Sequence, residues 1–222
     1  MRRLRVKKLA AAAFVCLLVI FLPAHICQAV LYPFEIFTDN SPYADDPGWN
    51  LFVDVWDGTG AVNFTFYNDS SIESSVARIY FDDGSLISFS TIINSENPSG
   101  QDYTQFSDMG PSPGNLPGAN LLGDPPFVAD EEFSIGATNP PPWKGVNDGD
   151  PANEWVTVQY NLNGGSLAGV LAELNTGVLR VGLHVIDVAD AYSESAILIP
   201  EPATVALLGL GALALLRRRR RA

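Results

Sequence analysis

From Asn50 onward, apolar and polar residues alternate with a period of two. That pattern admits strands far more readily than helices. Leu51, Val53 and Val55 alternate with Phe52, Asp54 and Trp56. Asp57-Gly58-Thr59-Gly60 reads as a turn, and Val62, Phe64 and Phe66 then alternate with Asn63, Thr65 and Tyr67. The two runs predict a β-hairpin. Further strands are predicted at 76–81, closed by Asp82-Asp83-Gly84, and at 86–92, 155–162, 178–188 and 194–199. One helix stands out. Ser166 is placed to cap it, Leu167, Val170, Leu171 and Leu174 fall at i, i+3, i+4 and i+7, and residues 175–177 end it. Residues 94–150 hold nine prolines, which exclude long helices. Phe106, Phe127, Phe133, Ile135 and Trp143 recur there, so packed loops and short strands are expected rather than a linker. The expected fold is all-β: a two-sheet sandwich, jelly-roll-like, with one short helix. No repeat of solenoid or propeller length is visible.

The two ends do not belong to that domain. Residues 1–8 are basic, an unbroken apolar run covers 9–22, and Pro23 breaks it. Cys27-Gln28-Ala29 fits the small-x-small pattern of a signal peptidase site, which places the cut after Ala29 and makes 1–29 a signal peptide read by the Sec translocon. The run has 14 residues, short of the ~20 that a spanning helix needs. Both cysteines, Cys16 and Cys27, would leave with this segment, so the mature chain is expected to have no disulfide and no thiolate chemistry. His25 leaves too, and His184 remains as the only histidine.

At the other end come Pro200-Glu201-Pro202, then an uncharged apolar run over 203–216, then Arg217, Arg218, Arg219, Arg220 and Arg221. Two prolines flanking one residue hold the backbone extended, which suits an enzyme that grips an extended peptide. The 14-residue run predicts a transmembrane tail helix of ~21 Å, marginal against a hydrocarbon core of ~30 Å. The arginines should stay cytoplasmic, which leaves the body on the far side, where the signal peptide also sends it. Between the basic ends lie only Arg78, Lys144 and Arg180, against all 25 acidic residues, a net charge of −22 on that stretch. Such a body repels nucleic acid and anionic headgroups, so neither is an expected partner.

Pro-Glu-Pro-Ala-Thr, the Leu/Ala/Gly-rich run and the five arginines together resemble the PEP-CTERM sorting signal. The resemblance implies recognition over 200–222 by an exosortase, a membrane-embedded cysteine protease or transpeptidase of Gram-negative bacteria that make extracellular polysaccharide. The body at 30–199 resembles, more loosely, a recurrent ectodomain of PEP-CTERM proteins. The stretches that carry this are Val-Asn-Phe-Thr-Phe-Tyr-Asn at 62–68, Ile-Tyr-Phe-Asp-Asp-Gly at 79–84, Gly-Asn-Leu-Pro-Gly at 114–118 and Leu-Arg-Val-Gly-Leu-His-Val at 179–185. No activity is implied by it.

Chemistry in the body is sparse. His184 lies within an alternating strand, without a Gly-x-Ser-x-Gly elbow, and reads as structural. Asp45-Asp46, Asp82-Asp83 and Glu131-Glu132 offer carboxylates, but no pair is singled out for glycoside hydrolysis. Asp148, Asp150 and Glu154, with Asn147 and Asn153, gather hard oxygens suited to calcium, yet the spacing is not that of an EF-hand and an Asn/Asp/Gly turn accounts for it. Trp49, Trp56, Trp143 and Trp155 could stack on sugars or pack in the core. The expectation is a non-enzymatic exported surface or matrix protein with no cofactor. It would be held at the inner membrane as a precursor with a periplasmic body, then moved to the cell surface or outside, with extracellular polysaccharide as the matrix partner. A carbohydrate- or calcium-binding module and a secreted glycoside-active enzyme are the rival expectations.

Overall fold

The computed structural model describes residues 29–82, 85, 87–94, 103–106, 114–138, 145–149, 152 and 154–200. The predicted signal peptide up to residue 28, the tail from Glu201 onward, Asp150 and Trp143 lie outside the described residues.

The predicted hairpin is present as β2 (Leu51–Gly58) and β3 (Ala61–Asn68), in register from Leu51↔Asn68 to Gly58↔Ala61. The strands run further into the turn than the alternation indicates, so only Thr59 and Gly60 connect them. Gly60 takes the left-handed conformation that glycine tolerates (φ 77°). The other expected strands are β4 (Ser75–Asp82), β5 (Ile87–Asn94), β9 (Val156–Leu162), β10 (Arg180–Val188) and β11 (Tyr192–Leu198). The proline-rich stretch contributes short strands β6 (Tyr103–Gln105), β7 (Ile135–Ala137) and β8 (Val146–Asn147). One strand is new: β1 (Val30–Ile36), directly after the predicted signal-peptide cut.

All pairings are antiparallel, in the order β5-β9-β3-β2-β1-β11-β10-β4-β7-β6, with β8 also on β4. In place of the expected two-sheet, jelly-roll-like sandwich there is one sheet, whose two halves face each other. Val30 to Pro33 of β1 pair with β2, and Phe34 to Ile36 pair with β11. The sheet therefore passes through β1 from one half to the other and nearly closes on itself, with β5 and β6 as its ends.

Across the gap the inner faces share one core. Phe64 on β3 meets Phe81 on β4 edge-on at 5.3 Å, and Tyr160 on β9 packs against both, at 5.7 and 5.0 Å. Val53, Val55, Val181, Leu183 and Val185 fill the space around these rings and are almost fully buried. Each such side chain contributes about 1.5–3 kcal/mol by leaving water. The opposite face of β3 is also covered, because Trp56 donates to Thr65 Oγ1 at 3.0 Å and Thr65 shares a hydrogen bond with Thr157 at 2.8 Å. On this polar face Trp56, Thr65 and Thr157 satisfy one another, while the buried Asn63 accepts from Gln159 Nε2 at 2.9 Å through Oδ1 and its own Nδ2 has no partner among the described residues.

Helix α1 (Leu167–Thr176) joins β9 to β10 as predicted. Ser166 Oγ accepts from Gly169 N–H at 3.2 Å, Val170 and Leu174 are buried against the core, and Gly177 closes the helix in the left-handed conformation. On the outer face of the β4–β10–β11 half, a second cluster forms from Tyr80, Phe106, Leu116, Ala119 and Phe127. This is where the proline-rich stretch packs. Gly182 lies beneath Leu116, whose nearest methyl would be 2.5 Å from an added Cβ. Arg180 fastens the same stretch: it forms an ion pair with Asp82, donates to the carbonyls of Pro125 (2.9 Å) and Pro126 (2.7 Å), and stacks over Phe127.

Candidate functional site

The expected sorting motif grows directly out of the sheet. Leu198 pairs with Phe34, and the N–H of Ile199 donates to the carbonyl of Pro33 at 3.0 Å. In an antiparallel ladder the opposing residue would return such a bond. Pro33 has no N–H to return it, and Pro200 has none with which to continue. The ladder between β1 and β11 ends here for want of donors, and the chain leaves the sheet at Pro200, itself half-buried. Ala29, at the other predicted processing site, is exposed and immediately precedes β1. Both predicted processing sites therefore lie by β1: Ala29 immediately before its start, and Pro200 one residue past the bond between Ile199 and Pro33.

Beside this point is an open cleft of about 310 Å³. Ile199 forms part of its wall, together with Phe34, Glu35 and Ile36 of β1, while Ala44, Asp45, Asp46 and Trp49 contribute from the loop before β2. The cleft exists because β1 changes partner: β2 pairs with it only as far as Pro33, and the loop 43–50 fills the space beyond. Trp49 is held by a bond from its Nε1 to the carbonyl of Tyr43 at 2.8 Å. Asp46 accepts from Gly48 N–H at 2.8 Å, while Glu35 and Asp45 are exposed. Among the described residues, no lysine or arginine lines the cleft.

His184 sits in β10, opposite Arg78 of β4 and Ser195 of β11. Burial chiefly, and the Arg78 guanidinium secondarily, push its imidazole down to about 4, against a backbone hydrogen bond at Glu194 that acts the other way. A serine beside this histidine was not legible in the sequence, because only strand register brings them together. Neither His184 Nδ1 nor Ser195 Oγ has a hydrogen-bond partner, so the two form no base–nucleophile relay.

The calcium candidates that are described have other occupations. Asp148 accepts from Ser74 N–H at 3.0 Å, and the buried Glu154 accepts from Asn147 Nδ2 at 2.8 Å. Asp148 also faces Glu73, whose carboxyl is pushed up by Asp190 first, then by desolvation, Asp148 and Asp187. Among the described residues, no group of three or more His, Cys, Asp or Glu side chains is arranged to hold a metal ion. Asp82 is committed to Arg180, and Glu131 and Glu132 are exposed. Trp56 and Trp155 are half-buried, and Trp49 alone of the described tryptophans lines the cleft. No described helix is long and apolar enough to cross a membrane.

Comparison with characterised proteins and with solved structures returns no match. The comparison with protein families returns one, and it falls on the root of the tail, beginning within β11 at Leu198. Residues 198–221 match the PEP-CTERM protein-sorting motif, and the chain is thereby an exported protein that bears this sorting signal and has an exosortase as its processing partner.

Proposed function

We propose that the chain is a non-enzymatic structural or adhesive component of the cell surface or extracellular matrix, associated with extracellular polysaccharide. Its precursor is tethered to the inner membrane with the β body in the periplasm, and an exosortase acting at Pro200-Glu201-Pro202 releases it. The observation that carries this reading is that the matched sorting motif starts inside the last strand, so the cargo that the signal delivers is the folded β body itself. The body offers a dense core and an acidic surface rather than an assembled relay: His184 and Ser195 are side by side yet unbonded.

Intact-mass measurement of the mature protein, in cells with and without the exosortase, tests the sorting step. A chain shortened near Pro200 only when the enzyme is present is expected. The same full tail in both cells would overturn the reading. Calorimetric titration with the polysaccharide of the producing cell tests the matrix role, and heat of binding is expected.

A further inference from the structure

We propose that the cleft at the root of the tail is a docking site for the sorting enzyme, which seats a basic segment of its own there while it works on the adjacent motif. This rests on the sorting reading and adds to it a recognition surface on the folded body. Reach makes the contact unavoidable. Among the described residues Ile199 is the last that is hydrogen-bonded to the sheet, and the apolar run begins at Ala203, four residues on. Four extended residues span at most about 14 Å. An enzyme embedded in the same membrane, gripping the peptide between those points, must touch the surface around Ile199. That surface is not flat: it is the cleft whose wall Ile199 completes.

The chemistry of the cleft selects the occupant. Glu35, Asp45 and Asp46 ring it and none of the described lysines or arginines lines it, while Trp49 supplies an aromatic face fixed by its bond to Tyr43. Carboxylates around an indole favour a lysine or arginine, by charge and by cation–π attraction. Anionic lipid headgroups, the other neighbours at this height, are repelled by the same carboxylates. The partner is therefore a basic, partly apolar loop on the periplasmic face of the enzyme.

The test uses the full-length precursor in cells that make the exosortase, with a Glu35→Lys/Asp45→Lys double variant. Both side chains are exposed, so the fold should survive, and an unchanged melting temperature confirms it. Loss of the tail, followed by mass, is expected to slow roughly tenfold through lost electrostatic complementarity. A Glu131→Lys/Glu132→Lys control makes the same charge change away from the cleft and is expected to be processed at the wild-type rate. Wild-type rates in the cleft variant, or equal slowing in the control, would overturn the docking site while leaving sorting intact. A wild-type precursor that keeps its tail would instead remove the sorting reading, and the docking site with it. Repeating the comparison with enzyme and precursor in detergent separates enzyme from lipid. Slowing that persists without a bilayer supports contact with the enzyme, and slowing that disappears assigns the cleft to lipid and overturns the proposal.

Discussion

Arg180 bears more of the fold than one residue in a strand would suggest. Its guanidinium is shared among the Asp82 carboxylate, two carbonyls of the proline-rich stretch and the face of Phe127. Replacing it with methionine leaves Asp82 buried without its partner and frees the stretch at 125–126. A loss of about 3 kcal/mol is expected in urea unfolding, the range for breaking a buried pair. Asp82→Asn in the same background should recover part of it, because the stranded charge is then gone. His184 makes a second residue-scale prediction. Its folded pKa of about 4 lies below the ordinary value of 6.5, so the neutral form is the one that the fold favours. Its contribution to stability is complete above pH ~6.5 and is lost as pH falls toward 4. An NMR titration should give a midpoint near 4, and a midpoint near 6.5 would show an accessible ring instead. His184→Gln should flatten the pH dependence of stability between 4 and 6.5. Neither residue's role was readable beforehand: Asp82 and Arg180 are 98 positions apart, and His184 meets Arg78 and Ser195 only through register.

The elements were legible where pattern and punctuation agreed. The hairpin of β2 and β3 was fixed by alternation on both sides of a glycine-rich turn, and α1 by Ser166, the leucine spacing and Gly177. Other elements show what pattern leaves out. β1 carries little alternation because Leu31, 54% exposed, is as apolar as its buried neighbour Tyr32, Pro33 interrupts the strand, and Glu35 alone marks the outer face with a charge. β10 starts at Arg180 rather than at Val178, because the N–H groups of Val178 and Leu179 both turn back to the carbonyl of Glu173 and finish the helix. Gly182 in β10 is the position where element packing can be tested most directly. A methyl there meets Leu116, so Gly182→Ala should cost about 1–3 kcal/mol, the range for overpacking. Pairing it with Leu116→Ala should restore stability beyond additivity if the clash is the cause. The cleft was the least legible feature of all, since Glu35, Asp45, Trp49 and Ile199 converge only because β1 passes from one half of the sheet to the other.

The whole molecule is a strongly acidic body on a motif that begins inside its own sheet. Calcium is the natural challenge to such a surface, and a specific site would raise stability in proportion to occupancy. The candidates Asp148 and Glu154 are already bonded to Ser74 and Asn147, so millimolar calcium is expected to move the melting temperature by no more than ~1 °C. A shift of several degrees would point to a cation taking those oxygens away from their present partners.

The placement of the tail also decides how the protein bears load. β11 is not an edge: β1 lies along one side of it and β10 along the other. While the precursor is tethered, any drag on the body pulls at Ile199 along the axis of this flanked strand. The hydrogen bonds on both sides are then loaded together in shear, instead of opening one after another like a zipper. A body hung from a central strand should therefore hold its shape under tension until the tail is cut.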